Sequence, residues 1–235
     1  MSYVSGADVF ATFLSKLPAT LLLAAMSMLL TLVISIPLGI LAAVRQNRAT
    51  DFIIRAASFV GNSLPNFFVA LVLMMLFSIH IPLFPVIAEG TSLASAVLPT
   101  LTLAIAMSSR YLRQVRAAVL EELSKAYVLG ARARGIPFRT TLVKSVLRAA
   151  LSTIVTLLAL SCGSLLGGTA VVETIFMWDG VGKLAVDAVS MRDYPMIQAY
   201  VVWMALIYVL INLLTDLLQP IIDPRLREGG ASDER

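Results

Sequence analysis

Few side chains in this sequence could do covalent or metal chemistry. There is one histidine, His80, and one cysteine, Cys162. An imidazole suits nickel by ligand type. Yet no His, Cys or carboxylate cluster accompanies His80, and Pro82 and Pro85 make it a boundary residue beside a proline-rich loop. A Ser-His-Asp centre would have to converge on this histidine, and no partners are placed for it. Cys162 sits alone in an apolar stretch, so no intramolecular disulfide is available. The ten methionines are scattered as filler rather than clustered as thioether ligands. Gly180-Val181-Gly182-Lys183 has the look of a phosphate-binding loop. That loop needs a glycine five residues before the Gly-Lys pair and Ser or Thr after it. Met177 and Leu184 stand there instead. The expectation is a non-catalytic chain that binds no metal, nucleotide or other cofactor.

The elements that would position these residues are set by hydropathy. The 235 residues are 59% hydrophobic and 14% charged, with a mean hydropathy of +0.89. Soluble domains carry about 25% charged residues. A helix crosses the hydrocarbon with about 20 apolar residues. Five stretches free of Asp, Glu, Lys and Arg reach that length: 17–44, 56–88, 90–109, 149–172 and 194–215. The expected fold is all-α, a polytopic membrane bundle of five spanning helices forming one domain over residues 1–235. Of the 18 Lys and Arg, all but Lys16, Lys183 and Arg192 fall in the segments 45–55, 110–148 and the tail. If the helices alternate, those segments share one side, the cytoplasmic one by the positive-inside rule. The C-terminus is then cytoplasmic and the N-terminus external. The net charge of +4 calls for no nucleic-acid partner, because these cations border lipid headgroups. Residues 1–16 hold Asp8 and no apolar signal core, so they do not read as a signal peptide.

Polar groups inside apolar spans face a cavity or the bundle interior. Asn62, Ser63 and Asn66 are such groups, and Pro65 between them can kink or hinge the second span. They are candidates for a translocation path, with helix–helix hydrogen bonds as the alternative. Asn212 lies within the last span and Asp216 at its interfacial end. Gly163 and Gly167, with Ser164 and Gly168, give the fourth span a small face for close packing.

The loop between the third and fourth spans carries the most local signal. Ser124 can cap a short helix running to Arg134. Arg132 and Arg134 then lie in its last turn, where the dipole favours cations. Gly135 fits the left-handed residue after a helix end, Pro137 stops continuation, and Thr140 or Thr141 can cap the next helix. Ala126, Gly130 and Ala133 form a small-residue stripe. Physical reasoning alone leaves two uses open, lying on the membrane or docking to a partner.

The segment Ala131-Arg132-Ala133-Arg134-Gly135 resembles the coupling segment of ABC importer permeases. Leu129 and Gly130 stand where the family's glutamate and first alanine would be, as in its peptide and nickel branch. A longer match is Glu173-x-x-Phe176-x-x-x-Gly180-x-Gly182 followed by Arg192-Asp193-Tyr194-Pro195, which is similar to the same branch. Asp179 departs from it, where proline is common after Trp178. Echoes occur at 17–20, 63–67 and 223–225, and nickel-transport permeases look most similar. Members usually carry a further N-terminal helix before the point where this sequence begins.

The resemblance implies a type I importer permease, and with it specific roles. Residues 117–141 would be a cytoplasmic coupling loop that meets an ATPase through Ala126, Tyr127, Gly130, Ala131, Arg132, Ala133, Gly135 and Pro137. Residues 173–193 would be an external re-entrant loop facing a binding protein through Glu173, Phe176, Trp178, Asp179, Gly180, Gly182, Arg192 and Asp193. Expected partners are two ABC ATPase subunits, a second permease subunit as a heterodimer, an external solute-binding protein and membrane lipid. The implied place is the bacterial cytoplasmic (inner) membrane. The implied cargo is nickel or a nickel chelate, with di- or oligopeptides as the alternative. An ATP-independent secondary transporter or channel is the rival class; it would more often show inverted repeats, and none is visible.

Overall fold

The computed structural model describes residues 1–87, 90 and 92–222, less the side chains of 152, 157–164, 166–168, 216 and 218–222. Among its described residues every regular element is a helix. Helix α1 (Val9–Val44) starts where the Asp8 carboxylate accepts the Ala11 N–H at 2.7 Å. At 1.5 Å per residue it is about 54 Å long, more than the hydrocarbon needs, and it carries Pro18 and Pro37 within it. After a turn at Asn47 (φ 62°) come α2 (Ala49–Ser63) and α3 (Asn66–Met74), the latter extended by a π-helical turn over Met75–His80. Then follow α4 (Leu93–Ser124), α5 (Ala126–Ala133), α6 (Phe138–Thr141) with a π turn over Leu142–Val146, α7 (Leu147–Ile175), α8 (Val181–Met191) and α9 (Tyr194–Ile222).

Two apolar clusters fix the topology. Near one end Ala19 and Leu23 of α1 meet Ala96, Leu98 and Leu103 of α4, with Val172 and Phe176 from the end of α7. Near the other, Ala43 of α1 meets Val115, Ala118 and Val119 of α4, with Val146, Ala150 and Ile154 from the start of α7. Helices α1 and α4 therefore run parallel, and α7 returns between them. The first cluster marks what is called here the acidic end, beside Glu173 and Asp179; the second marks the basic end.

The α1–α4 seam explains the close approach. Leu23, Ser27, Thr31, Ser35, Gly39 and Ala43 recur every fourth residue on α1, and all are buried. Small side chains at that spacing let helices pack at short range in lipid. At Gly39 there is no room for more, since a Cβ there would stand 2.7 Å from Val115. Helix α2 lies antiparallel on α4. The Ser58 hydroxyl donates to the Ser109 carbonyl at 2.6 Å, and Gly61 abuts the Ser109 side chain.

Among the described residues, three helices are long and apolar enough to cross a membrane, and α2 with α3 forms a fourth candidate broken by 99°. The expected count of five spans thus stands at three to four on these residues. The expected span 149–172 falls on α7, partly outside the described side chains, as does the small face at Gly163 and Gly167. Two expectations are corrected. Pro65 does not kink a continuous span; it ends one helix and precedes the next, because Leu64 before it is extended (ψ 130°). The segment after Arg110 is not loop, since α4 continues as helix to Ser124.

Candidate functional site

Helix α5 hangs from the basic end by a joint of polar contacts. Lys125 is extended (φ −71°, ψ 149°) and separates α4 from α5. Across this break the buried Glu122 carboxylate accepts the Tyr127 hydroxyl at 2.9 Å and the Lys125 ammonium at 2.5 Å. Ser124 does not cap α5, contrary to expectation. Its hydroxyl donates back to the Glu121 carbonyl at 2.7 Å, a bond available only to a residue still in α4. Nor do Thr140 and Thr141 cap α6, because both lie within it, and Pro137 takes the cap position.

The C-terminus of α5 forms as expected. The Ile136 N–H reaches the Ala131 carbonyl at 3.1 Å and the Gly135 N–H reaches Arg132 at 3.0 Å, the paired bonds of a Schellman turn. Gly135 sits at φ +75° with open space around it, so conformation rather than crowding selects glycine. Arg132 lies in the last turn and Arg134 just past it, as C-cap.

The faces of α5 divide cleanly. Val128 and Ala131 are buried, and Val128 joins the cluster with Ala43 and Val119. At 100° per residue the opposite face carries Ala126, Gly130 and Ala133, all exposed, and a Cβ on Gly130 would meet nothing within 4 Å. Tyr127 flanks that face on one side, and Leu129 (63% exposed) leads to Arg132 on the other. A smooth, open, small-residue face standing off the bundle admits a close-fitting macromolecular surface.

At the acidic end the structure joins most of the Glu173 to Asp193 residues, but largely inside the fold. Helix α7 ends in a Schellman turn, with Trp178 N–H to Glu173 carbonyl at 2.8 Å and Met177 left-handed at φ 54°. The Glu173 side chain then turns into the N-terminus of α8. It accepts the Lys183 N–H at 2.9 Å on one oxygen and the Thr20 hydroxyl at 2.8 Å on the other. Thr20 in turn accepts the Val181 N–H at 2.9 Å. A carboxylate there satisfies orphan donors and meets the positive end of the helix dipole. The two glycines follow from this: a Cβ at Gly180 would lie 2.4 Å from Glu173, and one at Gly182 would lie 2.6 Å from the Ala170 backbone. Trp178, fully buried, donates its indole N–H to the Ala19 carbonyl at 3.0 Å. Glu173, Phe176, Trp178 and Gly182 are thus buried, so their side chains weld α1, α7 and α8 together. Asp179 is exposed and pairs with Lys16. Arg192 is exposed and left-handed (φ 57°). Asp193 is buried and accepts from the Ser2 hydroxyl and the Tyr3 N–H. Those hydrogen bonds, the Ser2 hydroxyl first, hold the Asp193 carboxyl below the ordinary aspartate range.

Asn62, Ser63 and Pro65 are exposed and Asn66 is half-buried, all at the 99° break. Ser63 returns its hydroxyl to the Phe59 carbonyl. His80 is exposed, with its ring Nδ1 2.9 Å from the Met75 carbonyl. Among the described residues no three His, Cys, Asp or Glu gather as a metal site would require.

Three ties were not found from the sequence. Thr20 sits in the Leu17-Pro18-Ala19-Thr20 echo, but nothing in its neighbours points to Glu173. The other two are the Glu122 joint and buried Asp51. The Asp51 carboxylate accepts two bonds from Arg116, at 2.8 and 2.9 Å, and the Asn47 N–H at 3.0 Å, with Arg55 beside it. Only the charge alternation of Asp51 with Arg55 at four residues was visible.

The chain matches the family model described as binding-protein-dependent transport system inner membrane component over residues 35–228. It is 38% identical to the oligopeptide transport system permease protein AppB of Bacillus subtilis (strain 168), covering 94% of this chain and 73% of that protein. It is 35% identical to the metal-staphylopine import system permease protein CntB of Staphylococcus aureus (strain NCTC 8325 / PS 47), over 97% of this chain and 73% of that one. Identity to the glutathione transport system permease protein GsiC of Salmonella typhi is 38%, over 96% and 74%. In fold it is similar to a chain of the inward-facing MetNI methionine ABC transporter, at a TM-score of 0.75 and 18% identity over 91% of this chain and 97% of that one. The chain belongs to the family of inner-membrane components of binding-protein-dependent transport systems, and it is a permease subunit of an ABC importer.

Proposed function

We propose that this permease carries a small peptide-like solute inward, and that a nickel chelate is its cargo. What supports the class is that the relatives' names span oligopeptide transport, glutathione transport and metal-staphylopine import. A chelated metal needs no ligands from the permease, because the external binding protein selects it. The second reading, a di- or oligopeptide, has the same support from AppB. Uptake of labelled nickel with the cognate binding protein, with and without competing dipeptides, separates the two. Chelate-dependent nickel uptake that dipeptides leave untouched is the expected result; uptake of dipeptide alone overturns nickel.

The mechanism is alternating access. The basic end faces the cytoplasm, with the C-terminus, and two ATPase subunits close there on ATP. The observation that carries the coupling role is the open face of Ala126, Gly130 and Ala133 on a helix locked to α4 by Glu122. Ala131 and Pro137 shape that helix from within and beyond it. At the opposite end a loaded binding protein meets the exposed Asp179 and Arg192 side, while the buried part of residues 173–193 keeps that surface in shape. Asn62, Ser63, Pro65 and Asn66 border the path. Their exposure on one chain supports a path lying between this subunit and a second permease subunit. Substituting Gly135→Glu should uncouple transport while membrane insertion stays normal; substrate-stimulated ATPase activity at the wild-type level in that variant would sink the coupling assignment.

A further inference from the structure

We infer that a cavity beside α5 receives an acidic side chain of the ATPase subunit, held by Arg48 and Arg132. The inference rests on α5 being the ATPase contact. The cavity is about 280 Å³ and lies between the end of α1, the turn into α2, Leu123 of α4, helix α5 and Phe138. Gln46, Arg48 and Arg132 supply its polar wall, and Ala43, Leu129 and Phe138 lie among its apolar residues.

Among the described residues the charge there is uncompensated. Arg116 and Arg55 share Asp51, and Lys125 has Glu122. Among the described residues neither Arg48 nor Arg132 belongs to an ion pair. Two guanidiniums on one small cavity repel each other. An incoming carboxylate relieves that repulsion and takes the paired N–H donors that guanidinium offers. Leu129, 63% exposed, and Phe138, 38% exposed, provide apolar cover for the shaft of the inserted side chain.

Position selects the occupant. Arg132 lies on the flank of α5 next to the small-residue face, separated from it only by Leu129. A subunit seated on Ala126, Gly130 and Ala133 therefore brings its rim to the cavity mouth.

The test measures affinity of the purified permease complex for its cognate ATPase subunit against NaCl concentration. Wild type, Arg48→Gln/Arg132→Gln and Ala133→Trp are compared in nanodiscs with and without phosphatidylglycerol. The wild type should weaken as salt rises, since screening acts on such pairs. The double variant should bind at least tenfold more weakly at low salt and with a shallower salt dependence, in both nanodisc types. Unchanged affinity, or weaker binding with an unchanged salt dependence, overturns the carboxylate pairing. A defect confined to phosphatidylglycerol nanodiscs also overturns it, because the cavity then serves a lipid phosphate. Ala133→Trp probes the underlying assignment: full binding by that variant sinks α5 as the contact, whatever the arginines do.

Discussion

At the residue scale, the Glu173 carboxylate at the end of α7 holds α1 and the start of α8. Each oxygen has its own donor, Thr20 on one and the Lys183 N–H on the other. Glu173→Gln keeps one acceptor and turns an amide N–H₂ toward a donor. Leaving a buried donor unmet costs about 1–3 kcal/mol. Gly182→Ala pushes a methyl to 2.6 Å from the Ala170 backbone, an overpacking of about 1–3 kcal/mol. Both variants should unfold at lower temperature in detergent, with Trp178 fluorescence reporting exposure. A wild-type melting profile for Gly182→Ala would mean that α8 is free to shift. Asp193 yields a pH expectation. Its carboxyl is held below the ordinary aspartate value, so the charged form is favoured by folding. That stabilisation is complete above the unfolded pKa of about 3.9 and is lost as pH falls through the lower folded value. Hydrogen exchange at residues 1–8 should therefore stay protected from pH 7 to 5 and rise only in stronger acid. Loss of protection near pH 6 would contradict it.

At the element scale, the joint between α4 and α5 decides whether motion at α5 reaches the bundle. Tyr127 and Lys125 both reach Glu122 across the break. Tyr127→Phe removes one hydrogen bond and leaves the packing of Val128 and Ala131 intact. Transport per ATP hydrolysed should fall while the affinity for the ATPase is kept. Equal losses in binding and in transport would instead make Tyr127 a contact residue. The two short helices also show where local signals went astray. Ser124 and the threonines have good cap chemistry, but α4 runs about four turns past the apolar span that ends at Ser109. Propensity cannot see that extension, because Val115 and Val119 hold the helix against Ala43, which is 72 residues away from Val115 in sequence.

At the scale of the whole molecule, the bundle depends on α1 approaching α4 at close range. Gly39 leaves no space for a side chain beside Val115. Gly39→Leu should separate the helices and reduce the yield of folded, monodisperse protein severely, with Leu38→Ala on the same helix as a mild control. The buried Asp51–Arg116 pair ties α2 to the same helix. Arg116→Ala leaves a buried carboxylate with its paired charge removed, at about 3 kcal/mol or more. Limited proteolysis at the 45–48 turn should then accelerate several-fold; an unchanged cleavage rate would show that Arg55 alone holds Asp51.

What the sequence by itself determined was chemical and local. Charge-free runs marked membrane helices, arginines marked one end, and the positive φ at Gly135 was readable because a helix end, a glycine and a proline coincide there. The family was also legible, in Ala131 to Gly135 and Glu173 to Gly182. Tertiary structure decided what depends on distance. It turned Glu173, Phe176 and Trp178 inward, because their partners Thr20 and Ala19 lie more than 150 residues away and no periodicity reports such a pairing. It converted the Pro65 kink into a 99° break. It also gathered Arg48 and Arg132, 84 positions apart by their numbers, onto one cavity, since only the packing of α5 against the end of α1 brings two like charges together.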